Sequence, residues 1–195
     1  MRIIAGTFRS RHLLPLKKLK IRPTSDMLRE TLFNILGPAV NGARFLDLFA
    51  GTGAVGIEAV SRGASYVVFA ENHPAAARLI TENLAALTIT SNIRIMKSDA
   101  LEAVSKLETE HQPPFEFIFL DPPYASERDY HSSLRALAES SLVAKNTIVI
   151  AEHRKWESVA VLEASARDLP EPRPGLQRYR VLCQGDAALS FFRLF

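Results

Sequence analysis

From residue 44 onward, short apolar runs of strand length alternate with stretches whose apolar residues recur at helical spacing. The strand-like runs are "RFLDLF" (44–49), "YVVFA" (66–70), "NIRIM" (92–96), "FEFIFL" (115–120) and "TIVIAEH" (147–153). Between them the spacing predicts helices over 54–62, ending at Gly63, and from a cap at Asn72 with Pro74 in the first turn and a stripe of Leu79, Ile80, Leu84 and Leu87. Two more helices are predicted over about 99–109 and 129–140. Strict alternation of strand and helix implies a parallel sheet covered by helices on both faces. The pattern changes near the end, where "LQRYRVLCQ" and "AALSFFRLF" flank Gly185-Asp186 and read as an antiparallel hairpin, so the sheet is expected to be mixed.

Ahead of this series, "RPTSDMLRETLFNILGP" predicts a helix capped by Ser25 or Asp26, carrying Leu28, Leu32, Ile35 and Leu36 on one face and stopped by Gly37-Pro38. Residues 2–5 and 12–16 are expected to pair as short strands around a basic loop. The chain thus divides into a basic arm or hairpin, 1–25, and an α/β domain, 26–195, a length ample for one buried core.

Composition narrows the class. A hydrophobic content of 47% with 23% charged residues is that of a globular chain, and no apolar run approaches the roughly 18 residues needed to cross a bilayer. The first residues lack the apolar stretch and cleavage site of a signal peptide, and the single cysteine excludes an intrachain disulfide, so a cytoplasmic protein is expected. The five histidines are scattered without zinc-ligand spacing, and no structural metal is expected. Net charge is only +3, yet residues 1–25 hold seven Lys or Arg and no acid, whereas the rest carries 17 basic and 21 acidic residues. Such an arm is either a solvated, solubilising segment or a clamp for a polyanion, and charge alone leaves both open.

In an open sheet of this kind ligands sit beyond the carboxyl ends of the strands. Candidate chemistry therefore falls at Asp47 to Gly53, Glu71, Ser98-Asp99 and Asp121 to Tyr124. "DLFAGTGAVG" contains Gly51, Gly53 and Gly56 between a strand and a helix, with Glu71 20 residues beyond Gly51, where an acid can meet a ribose diol. This predicts an adenosine-bearing cofactor. Asp47 stands four residues before the first glycine, where it would repel a pyrophosphate but attract the ammonium and sulfonium of S-adenosylmethionine, whose carboxylate could use the loop amides. Satisfaction of Asp47 by local amides is the structural alternative. Asp99 can accept from an adenine amino group, cap the following helix, or do both.

Asp121-Pro122-Pro123-Tyr124 closes the fourth strand with a rigid corner. An exocyclic amine on a base is a poor nucleophile because its lone pair is delocalised. The Asp121 carboxylate and the Pro122 carbonyl can accept its two N–H bonds and free that lone pair for attack on a methyl sulfonium, while the prolines keep the acceptors preorganised. Tyr124 offers a stacking face worth about 1–3 kcal/mol.

An Asp-Pro-Pro-Tyr corner beside a glycine loop is the pattern of amino-group methyltransferases. The chain as a whole resembles the RsmD-type 16S rRNA guanine-N2-methyltransferases, from "RIIAG" and "RPTSDMLRETLFNIL" through "FLDLFAGTGAVGIEAVSRGA", "ENHPAA" and "LDPPY" to "GDAALSFFRLF". The resemblance implies a Rossmann-like class I methyltransferase fold with a small N-terminal hairpin, S-adenosylmethionine as cofactor, and a guanine of 16S rRNA in the 30S subunit or its assembly intermediate as target. It implies catalytic roles for Asp121, Pro122, Pro123 and Tyr124, and cofactor contacts from Thr24, Asp47, Phe49, Ala50, Gly51, Thr52, Gly53, Glu71, Asn72, Ser98, Asp99 and Ala100. Arg9, Arg11, Lys17, Lys18, Lys20 and Arg22 become RNA contacts. Family members often carry a basic residue at the position of Met27 and an acid at that of Asn72. A monomer that engages no membrane is expected.

Three other functions are compatible with parts of the pattern. A DNA adenine-N6 methyltransferase carries the same corner but usually more sequence for duplex recognition. An NAD-dependent oxidoreductase shares the glycine spacing but neither Asp47 nor the double proline. A catalytically silent RNA-binding assembly factor would keep the fold without the chemistry. Outside these motifs, Arg29 is expected in a cap-region ion pair, Glu152 as a surface carboxylate rather than one lining the cleft, Trp156 in the core or as a surface anchor, and Cys183 as a small core residue.

Overall fold

The computed structural model describes residues 1–15, 25–123, 127–154 and 175–195. It resolves into two compact units, Met1–Ala100 and Leu101–Phe195.

In the first unit β1 (Arg44–Asp47), β2 (Tyr66–Ala70) and β3 (Ile93–Met96) form a parallel set in the order β3-β2-β1. The connections are α2 (Ala54–Ser61) and α3 (Pro74–Ala86). The bodies of β1 and β2 are buried, as a parallel sheet covered on both faces requires, with Phe45, Leu46, Val67, Val68 and Phe69 at or near zero exposure, whereas β3 at the edge is half-buried up to Met96. α1 (Asp26–Leu36) begins where the sequence indicates: Ser25 Oγ accepts the Leu28 amide at 3.1 Å, and Gly37 ends the helix at φ +58°. Its Phe33 stacks on Phe45 with ring centroids 6.0 Å apart.

Among the described residues the arm pairs only briefly, with the Ile3 amide donating to the Arg11 carbonyl at 3.0 Å and the Leu13 amide to the Met1 carbonyl at 3.3 Å. Arg2 and His12 make one antiparallel bridge, with Ile3 and Leu13 buried beneath. The reason lies in where its amides go. Ile4 and Ala5 donate to the Glu58 carboxylate at 2.8 and 3.0 Å, Phe8 to Ser61 Oγ at 3.0 Å, and Thr7 to the Ser61 carbonyl at 2.8 Å. Helix α2 therefore satisfies the backbone groups that a second strand would have taken. Gly6 permits the approach: at φ +80°, any Cβ there would stand 1.8 Å from the Ser61 carbonyl oxygen.

The second unit holds β4 (Phe117–Leu120), β5 (Ile148–Arg154), β6 (Leu176–Gln184) and β7 (Ala187–Leu194) in the order β4-β5-β7-β6. β4 and β5 are parallel, and β7 runs antiparallel to both of its neighbours. The expected C-terminal hairpin is thus present, turning at Gly185 with φ +60°. α4 (Ala100–Thr109) starts at the border of the units, and α5 (Glu127–Ala138) lies between β4 and β5 in sequence. Two expectations are corrected. Glu152 is 2% exposed, because β5 is covered on both faces there, and Cys183 is exposed on β6 rather than packed in the core. Trp156 lies outside the described residues. No helix among the described residues is long and apolar enough to cross a membrane.

Candidate active site

The turn from β1 into α2 supplies the first part of the site. Gly51 and Gly53 take φ of +54° and +79°, the left-handed region that a side chain resists. Gly56 serves a different end: a Cβ there would lie 2.3 Å from Phe69 Cε1, so its absence lets α2 pack on β2. In front of Gly51 the nearest atom to such a Cβ would be 4.0 Å away, which leaves room for a ligand.

The loop holds itself together with its own donors. The amides of Ala50 and Gly53 donate to the carbonyls of Ala70 and Ala50 at 3.0 and 2.7 Å, and the Gly51 amide donates to Glu71 Oε2 at 2.7 Å. The tight turn thus already uses these three of the loop's amides. Thr52 is buried between the two glycines and Phe49 is half-buried.

Asp47 ends β1 at 1% exposure. Its Oδ2 accepts the Gly56 amide at 3.0 Å, and Oδ1 is buried without a hydrogen-bond partner. Burial pushes its pKa up to about 7; the Gly56 hydrogen bond opposes that shift and the charge of Glu71 adds to it. The local-amide alternative is thus met at one oxygen only, and the other has no hydrogen-bond partner. A buried carboxylate one donor short suits a cation and would repel a pyrophosphate.

Glu71 follows β2, half-buried, with Oε1 accepting the His73 amide at 2.7 Å and Oε2 the Gly51 amide. Each oxygen keeps a second lone pair for a ribose hydroxyl. The helix cap assigned to Asn72 belongs instead to His73, whose Nδ1 accepts from the Ala75 amide at 3.2 Å, while Asn72 is exposed. Pro74 occupies the first helical position, so the capping residue is its immediate neighbour. After β3, Ser98 is 9% exposed with a buried Oγ that has no hydrogen-bond partner, Asp99 is exposed, and Ala100 opens α4. The orphaned oxygens of Asp47 and Ser98, the space before Gly51 and the spare lone pairs of Glu71 fit S-adenosylmethionine.

In the second unit β4 is buried throughout and runs into the corner, with Asp121 half-buried, Pro122 buried and Pro123 exposed. Tyr124 lies outside the described residues, as do Thr24, Lys17, Lys18, Lys20 and Arg22. Of the basic arm, Arg9 and Arg11 are exposed, and Arg11 Nη2 donates to the Ala86 carbonyl at 3.3 Å.

Sequence reasoning missed a buried cluster behind the loop. Glu58, fully buried on α2, accepts from Arg62 Nε at 2.8 Å besides the two arm amides, and Arg29 Nε approaches it at 3.7 Å. Arg29 does make the expected cap-region pair, with Asp26 at 2.9 Å, but from a position of zero exposure. Asn83, 1% exposed on α3, was also missed. The available signal in each case was a polar residue within an apolar helix face.

A parallel sheet with a glycine turn after its first strand, an acid after its second and a buried acid suited to a cation defines a class I, S-adenosylmethionine-dependent methyltransferase. Solved structures share the architecture over the whole chain: that of yhhF from Escherichia coli superposes with a TM-score of 0.77 at 29% identity, covering 100% of this chain and 97% of that one. Residues 1–182 match the family model described as conserved hypothetical protein 95. The ribosomal RNA small subunit methyltransferase D of Haemophilus influenzae is 33% identical over 93% of this chain and 92% of its own length. YlbH of Bacillus subtilis is 37% identical over 78% and 82%. The chain belongs to the RsmD family of methyltransferases.

Proposed function

We propose that the protein methylates the exocyclic N2 amine of one guanine in 16S rRNA, acting as a cytoplasmic monomer on the 30S subunit or its assembly intermediate. The observation that carries this reading is the Asp121-Pro122-Pro123 corner closing a buried β4 in a chain related along most of its length to small-subunit rRNA methyltransferases. S-adenosylmethionine supplies an electrophilic methyl group on a positively charged sulfur. Asp121 and the Pro122 carbonyl would accept hydrogen bonds from the two amine N–H groups and so free the nitrogen lone pair for attack, and Asp121 would take the surplus proton of the methylated amine and pass it to solvent. Pro122 and Pro123 keep both acceptors in place, and Tyr124 stacks on the unpaired base.

On the donor side, Asp47 holds the cationic end of the cofactor and Glu71 its ribose. Phe49, Ala50, Gly51, Thr52 and Gly53 line the donor, with Asn72, Ser98, Asp99 and Ala100 around the adenine and Thr24 closing over it. Arg9, Arg11, Lys17, Lys18, Lys20 and Arg22 neutralise rRNA phosphates. The decisive experiment incubates unmodified 30S particles with the protein and methyl-labelled cofactor, then digests the RNA to nucleosides. Label in N2-methylguanosine is expected. Label in adenine of DNA with none in the particles would overturn the proposal.

A further inference from the structure

The apolar stripe of α3 carries one buried amide. Asn83 shares that stripe with Leu79, Ile80 and Leu84. Both ends of the amide are used, each on a segment remote in sequence: Nδ2 donates to the Thr52 carbonyl at 3.1 Å, and Oδ1 accepts the Leu14 amide at 2.7 Å. Its orientation is dictated by its partners, since a carbonyl only accepts and an amide N–H only donates. An apolar side chain of the same size would leave both partners without a hydrogen bond.

The two segments bound in this way are the glycine loop and, in the function proposed above, the start of the arm that carries the RNA contacts. Thr52 lies between Gly51 and Gly53, whose backbone has the least intrinsic stiffness of any residue type, so the geometry of the donor loop depends on what holds its centre. Leu14 immediately precedes Pro15 and the segment 16–24, which carries Lys17, Lys18, Lys20 and Arg22. The arm also reaches the loop at its other end. Met1 Sδ lies 3.8 Å from the Thr52 hydroxyl, and the Met1 carbonyl accepts the Leu13 amide at 3.3 Å.

We infer that Asn83 is a positioning residue for both substrates, its NH₂ setting the glycine loop for S-adenosylmethionine and its carbonyl oxygen setting the root of the basic segment for RNA. The RNA half rests on the function proposed above; the cofactor half does not. The two atoms can be separated by substitution. Asn83→Asp keeps an oxygen for Leu14 and puts a second oxygen where the donor to Thr52 stood. Asn83→Ala removes both partners.

Both variants are assayed for methyl transfer to unmodified 30S particles, with calorimetric titration of S-adenosylhomocysteine alongside. Asn83→Asp is expected to weaken S-adenosylhomocysteine and raise the cofactor KM by roughly tenfold, with the particle KM and kcat within about twofold of wild type. Asn83→Ala is expected to raise both KM values. Equal losses toward both substrates in Asn83→Asp, or lowered melting temperatures with neither KM changed, would overturn the inference. If Asn83→Ala does not fold, the split in Asn83→Asp decides alone. A wild-type protein that binds S-adenosylhomocysteine yet methylates no particle refutes the proposed function and with it the RNA half, while the calorimetric comparison still decides the cofactor half.

Discussion

The Asp47 carboxylate takes the Gly56 amide at 3.0 Å on one oxygen and keeps the other buried with no hydrogen-bond partner. This half-satisfied acid has a pKa of about 7, against 3.8 for an ordinary aspartate. The free protein therefore holds a proton there that the unfolded chain has already released, and this group's contribution to stability falls as pH rises from about 4 through 7. A cationic ligand favours the ionised form, so S-adenosylmethionine should bind more tightly as pH rises through about 7 and should release a proton from Asp47 below that pH. Calorimetry in buffers of different ionisation enthalpy measures the release. Asp47→Asn should abolish it, flatten the pH dependence and weaken binding by about ten- to a hundredfold, the usual loss for a charged hydrogen-bond partner.

Gly56→Ala pits two effects against each other. Alanine gains about 1 kcal/mol in helix propensity over glycine. The added Cβ, however, would stand 2.3 Å from the ring of Phe69, which is fully buried and has no free volume to enter. Overpacking of this kind costs about 1–3 kcal/mol, so net destabilisation is expected, read as a lower urea midpoint. Because the same residue donates to Asp47, cofactor affinity should fall with it.

Glu58 anchors the arm through two amides and pairs with Arg62 and Arg29. Glu58→Gln turns one of its two acceptors into a donor that faces amide donors. Breaking such a buried ionic cluster costs about 3–5 kcal/mol. Chemical denaturation should report the loss, and trypsin should cut after Arg9 and Arg11 faster than in wild type as the arm loosens.

Asp121→Ala tests the corner. Methyl transfer should be abolished while titrated S-adenosylhomocysteine still binds, since the proposed donor-side residues Asp47, Glu71 and Ser98 follow β1, β2 and β3 and do not include the corner after β4. Full activity in this variant would remove Asp121 from the mechanism.

Much of this was legible along the chain because it depends on local pattern. The β1-to-α2 turn demands glycine wherever φ is positive, the apolar runs mark buried strands, and Ser25 announces its helix by spacing alone. The cap of α3 is expected at Asn72 and lies one residue on, at His73, the residue before the proline of the first helical position. The arm is legible only in part: the chain pairs at Arg2 and His12, but the amides of Ile4 and Ala5 turn to a carboxylate 54 and 53 residues away, and no periodicity records that.

The sequence by itself determined the alternation of strand and helix, the glycine loop with its following acid, and the membership of the RsmD family. Only the tertiary structure decided which polar groups are sealed in and with whom: Glu58 under the arm, Asn83 between Thr52 and Leu14, Asp47 with one oxygen to spare. Local order follows from backbone preference and hydrophobic spacing, which neighbouring residues carry. The partner and the dielectric of a buried charge are set by segments far away in the chain, and those meet only on folding.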